Sequence, residues 1–186
     1  MSDKDIEQVL AEVAACIGQV SGENMAQAET MIEVAPRIFL AGVGRSGLCM
    51  RALAMRLMHL GKTVYVVGET ITPGITAEDM LVIGSGSGRT ASLLTTAEQA
   101  QRRGAKILLF TTNTTSPLAD LADHRVIIPA PSLNMSGRVP EFESVQPMGS
   151  LFEQSLLILC DSLILGLMRR IGVDAAQMSE RHANLE

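Results

Sequence analysis

The sequence predicts an α/β fold, a doubly wound sheet of five mostly parallel strands flanked by helices. Short apolar segments alternate with helical ones through the middle of the chain. The short segments are continuously apolar, which is typical of strands covered on both faces. Two of them run straight into turns of glycine and serine that open a helix. At 186 residues the chain has the length of one domain, and we expect residues 1–186 to form it.

Two helices are expected before the first strand, between Asp3 and about Ala35. Apolar residues recur at helical spacing from Ile6 to Ile17. Ser21 is suited to cap a second helix, which Pro36 ends. Because these helices precede the sheet, we expect a flap or an oligomer contact rather than crossovers between strands.

The central elements follow in a regular order. The predicted strands are Arg37–Ala41, Val64–Val67, Met80–Gly84, Lys106–Thr111 and Arg125–Pro129. The helices predicted between them are Ser46–Leu60, Ala91–Arg103 and a short Pro117–Ala122. The link over residues 68–79 is too rich in proline and glycine for a full helix. Because ligands bind at the carboxyl ends of the strands in such sheets, we expect the functional site there.

A loop and a long apolar helix are predicted in the last third of the chain. Residues 129–147 are polar and contain several prolines, a composition typical of loops that cover a site. The helix is expected from Met148 to Arg170, with Pro147 in its first turn. It is apolar nearly all round, so it must be buried on several sides, most simply by a second subunit.

The apolar run within this helix, Ser155–Met168, is interrupted by Asp161 and predicted to be too short to span a bilayer. Gly172 is expected to end the helix, and a polar tail from Asp174 to Glu186 follows.

Composition and charge narrow the function classes. The net charge of −5 and an aromatic content of 3% argue against a nucleic-acid partner. The N-terminus is acidic where a signal peptide is basic, so we expect a cytoplasmic protein that is not bound to membranes. Cys16, Cys49 and Cys160 are far apart in apolar helical patterns and are expected to be buried, reduced thiols. No cysteine or histidine spacing indicates a metal site.

The two glycine–serine turns are predicted to bind a phosphate. The second, residues 84–90, offers the hydroxyls of Ser85, Ser87 and Thr90, and the first, residues 42–47, offers that of Ser46. Each turn leaves backbone N–H groups free at the positive end of a helix dipole, which is a favourable place for an anion.

A dinucleotide site is the competing interpretation of the first turn. Its sequence fits G-x-G-x-x-G, and Glu69 stands 22 residues after Gly47. Against it, no residues remain for a second substrate domain, and the second turn would be unexplained. Glycines that serve only close packing would account for Gly42 but not for the serines. Neither turn contains the lysine of a P-loop, and Gly86 occupies the serine position of G-x-S-x-G, so ATP chemistry and serine hydrolysis are unsupported.

Four side chains are candidates for other chemistry. Glu153 lies one turn into the apolar helix, where a partly desolvated carboxylate suits a general base. Compensation of the helix dipole, a stabilisation of roughly 0.3–1 kcal/mol, explains it equally well. His182, in the polar tail, is either a functional histidine or an inert exposed one. His59 and His124 fit structural and peripheral roles, and three scattered histidines make no metal set.

Several blocks of the chain resemble the 6-phospho-3-hexuloisomerases, a family within the sugar isomerase (SIS) domain superfamily. The similarity extends from Gly42 to the last residue, with the N-terminal helices also in place. Its blocks are residues 42–47 (GVGRSG), 54–60 with Gly61 (AMRLMHLG), 67–70 (VGET), 84–90 (GSGSGRT), 146–153 (QPMGSLFE) and 181–186 (RHANLE).

The resemblance implies a SIS-type, flavodoxin-like fold and an isomerase that interconverts D-arabino-hex-3-ulose 6-phosphate and D-fructose 6-phosphate. It places the reaction in the ribulose monophosphate pathway of formaldehyde fixation. It also implies a homotetramer with active sites at subunit interfaces. The carbonyl moves between adjacent carbons through an enediolate, so one base, polar groups for the oxygens and a firm hold on the phosphate suffice, without a cofactor or a metal.

The expected site residues follow from the turns and the resemblance together. The substrate-binding residues are Gly44, Arg45, Ser46, Ser85, Ser87 and Thr90. Glu153 shuttles the proton, and His182, supplied by the same or a neighbouring subunit, assists proton movement at the sugar oxygens or ring opening. Arg45 supports either the enediolate or the phosphate. Glu69 and His59 are second-line candidates without a derived role. Two alternatives stay open, another aldose–ketose phosphate isomerase and a non-catalytic SIS domain that binds a sugar phosphate.

Overall fold

Helices and strands alternate along the chain in the computed structural model, which describes residues 3–131 and 143–185. In chain order the elements are α1 (Asp3–Ile17), α2 (Gly22–Val34), β1 (Arg37–Gly42), α3 (Gly44–His59), β2 (Thr63–Val66), β3 (Met80–Gly84), α4 (Ala91–Arg102), β4 (Lys106–Thr111), α5 (Pro117–Leu121), β5 (His124–Ile127), α6 (Ser150–Ile171) and α7 (Ala175–Ser179).

The five strands form one sheet in the order β2-β1-β3-β4-β5, and all four pairings are parallel. The predicted doubly wound α/β fold is therefore confirmed. The chain leaves β1 toward β2 on one side and returns to β3 on the other, so the winding reverses between β1 and β3. Open sheets of this kind bind ligands at the carboxyl ends of the strands on either side of that reversal.

Alternate strand residues enter two separate cores, which gives the sheet its two covering layers. On one face, Ile38, Leu40 and Val82 pack with the inward sides of α1, α2, α3 and α6. On the other face, Phe39 and Leu81 pack with α4 and α5. Because both faces are covered, the strands read as continuously apolar in the sequence.

The N-terminal helices belong to the first of these cores. Val13, Cys16, Ala28 and Ile32 are all buried in it, and the Ser21 hydroxyl caps α2 by accepting a hydrogen bond from the Asn24 N–H. The helices α1 and α2 pack on α6, and α2 also reaches β5. The expectation of a flap is wrong, because both helices are packed into the core against α6, and α2 also packs against β5.

Helix α6 is the long apolar helix that the sequence predicts. Length and composition would let it cross a membrane, yet 56% of its apolar stretch is buried inside the protein. The argument from a short apolar run therefore does not hold, and burial against α1, α2 and α3 is what makes it a core helix. Gly172 ends it in a left-handed conformation (φ 70°), as predicted.

Some boundaries near this helix differ from the prediction. Helix α6 begins at Ser150, not in the turn of Pro147, whose carbonyl instead accepts a hydrogen bond from the Ser150 N–H. The polar tail contains the short helix α7, in which Asp174 and Gln177 form a capping box. Most of the predicted covering loop, residues 132–142, lies outside the described residues.

All three cysteines are buried free thiols, as predicted. Burial raises the pKa of each of them, and Cys160 in particular is held protonated.

A buried carboxylate, that of Asp79, connects the start of β3 to the start of β1. Asp79, immediately before β3, accepts two hydrogen bonds from the Arg37 guanidinium at 2.8 and 2.6 Å. It also accepts hydrogen bonds from the backbone N–H and the hydroxyl of Thr76. Burial raises the pKa of Asp79, but the hydrogen bonds from Arg37 and Thr76 outweigh burial and hold that pKa below its ordinary value.

Replacing Asp79 with asparagine is expected to lower the free energy of unfolding by about 2–3 kcal/mol, since charge-assisted hydrogen bonds are lost at a buried site. Because the folded pKa is lowered, this stabilisation is present above the ordinary carboxyl pKa and is lost as the pH falls through the folded pKa. Urea denaturation at several pH values tests this. The difference between variant and wild type should shrink on acidification, and exposed Asp120→Asn should change stability by less than about 0.5 kcal/mol. A pH-independent difference would contradict the assignment.

Candidate active site

The two glycine–serine turns lie side by side at the carboxyl edge of the sheet. They leave the neighbouring strands β1 and β3 at the same level, because Gly42 pairs with Gly84 in the sheet register. The pairing brings the two turns to the reversal in strand order, where a ligand is expected. The parallel register therefore joins two motifs that are about forty residues apart in the sequence.

The first turn requires its glycines for a close approach. A Cβ on Gly47 would lie 2.7 Å from the Gly42 carbonyl oxygen, so strand and helix could not come together with larger residues. Gly44 adopts a left-handed conformation (φ 60°) and begins α3. The half-buried Ser46 and the first backbone N–H groups of α3 thus meet at a helix N-terminus.

The second turn connects β3 to α4. Ser85 is buried (4% exposed), and Ser87 is half-buried. Thr90 is the N-cap of α4, yet its side chain makes no capping hydrogen bond. Its hydroxyl is therefore not used by the helix. The turn thus combines hydroxyls with a second helix N-terminus, the arrangement that favours an anion.

The N-terminus of α6 forms the third wall. Glu153, in its first turn, has a side chain that is 19% exposed and pairs with Arg45, with 2.9 Å between Nε and Oε2. The Arg45 side chain is 60% exposed. Beneath it, the Cys49 thiol donates a hydrogen bond to the Glu153 carbonyl oxygen at 3.3 Å. Just before the helix, Met148 takes a left-handed conformation (φ 57°) that is unusual for a residue with a side chain.

A cleft of about 460 Å³ opens between these three walls. Its lining contains seven predicted site residues, namely Gly44, Arg45, Ser46, Ser85, Ser87, Thr90 and Glu153. The rest of the lining is Val43, Gly84, Gly86, Leu93, Thr112, Pro131, Pro147, Met148, Gly149, Ser150 and Phe152. Glu153 is the one carboxylate among these lining residues. Among the described residues, no cluster of histidine, cysteine and carboxylate side chains could hold a metal ion.

Three predicted residues lie elsewhere in this chain. The exposed ring of His182 stacks on His59, with ring centroids 5.4 Å apart. Burial, assisted by Arg56 and His182, lowers the pKa of His59. The pair lies at the far end of α3, a helix of 16 residues whose other end forms the cleft, about 24 Å away at roughly 1.5 Å per residue. Glu69 is exposed and pairs with Arg51, outside the cleft lining.

Sequence reasoning missed part of the lining. Thr112 reaches the cleft from the end of β4, the next strand beyond β3. A signal was present, because Thr112 opens a polar run directly after a buried strand. In a parallel sheet such a run must lie at the carboxyl edge. Phe152 gave no signal, since an aromatic residue in a largely apolar helix is equally typical of the core.

Comparisons with known proteins identify the family of this chain. Residues 31–158 match the SIS domain family. A 3-hexulose-6-phosphate isomerase of Mycobacterium gastri is 45% identical, with the alignment covering 98% of this chain and 90% of the relative. The corresponding protein of Bacillus subtilis is 39% identical, with 97% of each chain covered.

A solved structure from Methanococcus jannaschii, from which a function as 3-hexulose-6-phosphate isomerase was inferred, is 32% identical with a TM-score of 0.84. The superposition covers 98% of this chain and 99% of that one. The predicted resemblance is therefore confirmed. With a family match over most of its length and relatives of this identity, the chain belongs to the SIS domain family, alongside the 3-hexulose-6-phosphate isomerases.

Proposed function

We propose that this protein is an isomerase that interconverts D-arabino-hex-3-ulose 6-phosphate and D-fructose 6-phosphate. The observation that carries the proposal is the position of Glu153, the one carboxylate among the described residues of a cleft that the two hydroxyl-bearing turns also line. An isomerase of phosphorylated ketoses needs these two parts, a base near the carbon chain and a grip on the phosphate. Such a reaction belongs to the ribulose monophosphate pathway, with the enzyme in the cytoplasm.

In this proposal the phosphate binds between the two turns. Ser46, Ser85, Ser87 and Thr90 donate hydroxyl hydrogen bonds, and the turn N–H groups at the starts of α3 and α4 add charge complementarity. All four side chains line one cleft, which supports the assignment. Gly44 lets the backbone approach closely, because no Cβ stands between it and the ligand.

Glu153 is proposed to carry the proton between two carbons. Starting from fructose 6-phosphate, its carboxylate takes the proton from C3, and the electron pair of that C–H bond forms the enediolate with C2. The hydroxyl proton then moves from O3 to O2, and Glu153 returns its proton to C2, which leaves the carbonyl at C3. One carboxylate serves both carbons because they are adjacent. Arg45, which pairs with Glu153, stabilises the negative enediolate oxygens.

His182 is proposed to move the proton between the sugar oxygens from a neighbouring subunit. Within one chain it lies at the far end of α3, so a second copy must supply it. A homotetramer fits the apolar side chains that α6 leaves exposed, Leu157, Ile158 and Leu165. His59, which stacks on His182, would then hold the His182 ring in place. No role is proposed for Glu69.

Deuterium exchange tests the reaction and separates it from the alternatives. We expect that the protein, incubated with fructose 6-phosphate in deuterated water, introduces deuterium at C3, which proton NMR detects as loss of that signal. An aldose–ketose isomerase would exchange C1, because it forms the enediol with that carbon. A non-catalytic sugar-phosphate sensor would exchange neither position. Exchange confined to C1, or none beyond an enzyme-free sample, would contradict the proposal.

A further inference from the structure

The loop after β4 holds the second glycine–serine turn by its carbonyl groups. We call residues 111–118, from the end of β4 into α5, the bracket. The carbonyl oxygens of three consecutive turn residues, Gly86, Ser87 and Gly88, all accept hydrogen bonds from the bracket. The carbonyl groups of the turn are therefore fixed, although the composition of the turn is that of a flexible linker.

Gly86 is held most firmly. Its carbonyl oxygen accepts the hydroxyl of Thr111 at 3.0 Å, the hydroxyl of Thr112 at 2.9 Å and the N–H of Thr112 at 3.1 Å. Thr111 is fully buried and outside the cleft lining, whereas Thr112 lines the cleft. The Thr111 hydroxyl also accepts a hydrogen bond from the Asn113 N–H at 3.2 Å, and this bond lies within the bracket.

The carbonyl oxygens of Ser87 and Gly88 each accept only one hydrogen bond from the bracket. The Asn113 amide reaches the Ser87 carbonyl oxygen at 3.5 Å, and the Leu118 N–H donates to the Gly88 carbonyl oxygen at 3.1 Å. Gly88 has a left-handed backbone (φ 64°), and a Cβ there would lie 2.1 Å from the Ser116 hydroxyl oxygen. The two segments are thus in close contact along their length.

The direction of these carbonyls decides what the turn can bind. In a trans peptide the C=O and the following N–H point in opposite directions. A Gly86 carbonyl fixed on the bracket turns the N–H of Ser87 away from the bracket. It also keeps a partial negative charge from facing an anion. Backbone N–H groups that point away from such a support form concave anion sites. The Arg89 N–H is not one of them, because it donates to the Ser87 hydroxyl.

We propose that Thr111 and Thr112 are positioning residues that keep the 84–90 turn in its anion-binding conformation through the Gly86 carbonyl. They act on the affinity for the phosphate group and leave proton transfer at Glu153 unchanged. That the anion is a sugar phosphate rests on the proposed function, but the effect on phosphate affinity does not require turnover.

The experiment compares Thr→Val variants, which lose the hydroxyl and keep the shape, with Thr→Ser variants, which keep the hydroxyl. Binding of inorganic phosphate and of fructose 6-phosphate is measured by calorimetry, and kcat and KM are measured separately. Thr111→Val is the decisive variant, because Thr111 cannot touch a ligand in the cleft. Thr95→Val is the matched control, since its exposed hydroxyl bonds only to the Ala91 carbonyl in α4.

We expect Thr111→Val combined with Thr112→Val to weaken phosphate binding about tenfold and to raise KM similarly, since two hydrogen bonds of the turn are lost. The kcat should stay within about threefold, the two Thr→Ser variants should restore affinity, and Thr95→Val should have no effect. Thr112→Val alone, which keeps two of the three donors, is expected to fold if the double variant does not.

Unchanged phosphate affinity in a folded Thr111→Val variant would overturn the proposal, whatever its thermal stability. A fall in kcat at unchanged affinity would overturn it as well. Failure of the wild-type protein to exchange deuterium would count against the proposed function and would leave the effect on inorganic phosphate binding as a separate result.

Discussion

Glu153→Gln is expected to lower kcat about a thousandfold, because the amide has the shape of the carboxylate but cannot take a proton from carbon. The KM should stay within about threefold, since the groups proposed to hold the phosphate belong to the two turns and not to α6. Steady-state isomerisation of fructose 6-phosphate measures both constants. Deuterium exchange at C3 should be lost in the same proportion, because it reports the same proton transfer.

Glu98→Gln provides the matched control for this substitution. Glu98 is also a helical glutamate paired with an arginine, Arg102, at 3.2 Å, but it lies outside the cleft lining. Its replacement should leave both kinetic constants unchanged, because an exposed ion pair contributes little. Turnover of Glu153→Gln within tenfold of the wild-type protein would assign the base to another group.

His182→Ala is expected to lower kcat at least about a hundredfold, with that activity partly recovered when the variant is mixed with Glu153→Gln in one oligomer. If each site takes Glu153 from one subunit and His182 from its neighbour, random mixing restores about one site in four. Hybrids with a different tag on each variant can be purified through both tags and assayed. Native mass spectrometry of the same sample gives the number of subunits, for which four is expected.

Two results would contradict the shared site. Hybrid oligomers without recovered activity would mean that His182 acts within its own subunit or not at all. A monomer with full activity would exclude a shared site directly. His182 is exposed in the single chain, so its replacement is not expected to disturb folding. Loss of activity in His182→Ala can therefore be attributed to the site.

The fold and the two glycine–serine turns could be predicted because they depend on local patterns. The apolar strands, the helices after them and the Ser21 cap all follow from neighbouring residues. The start of α6 could not be placed, because a proline is compatible both with a first helical turn and with the loop before it. In this chain Pro147 lies three residues before the helix, and Gly149 is the N-cap.

The contact between the bracket and the second turn could not be predicted from the sequence, for a different reason. Its threonines lie more than twenty residues from Gly86, and a run of threonine and asparagine is equally typical of an ordinary surface loop. The parallel pairing of β3 with β4 brings the two segments together. The position of His182 shows the same dependence, because nothing local indicates that the tail returns to the end of α3.

The sequence by itself determined the elements of this protein, its two glycine–serine turns and its candidate base. Periodicity, helix caps and glycine turns are local, and a local property can be read from a few consecutive residues. Only the tertiary structure decided that Gly42 and Gly84 share one register, that Glu153 faces both turns with Arg45, and that His182 lies away from them. Those relations join residues distant along the chain, and packing of the whole sheet and its helices sets them.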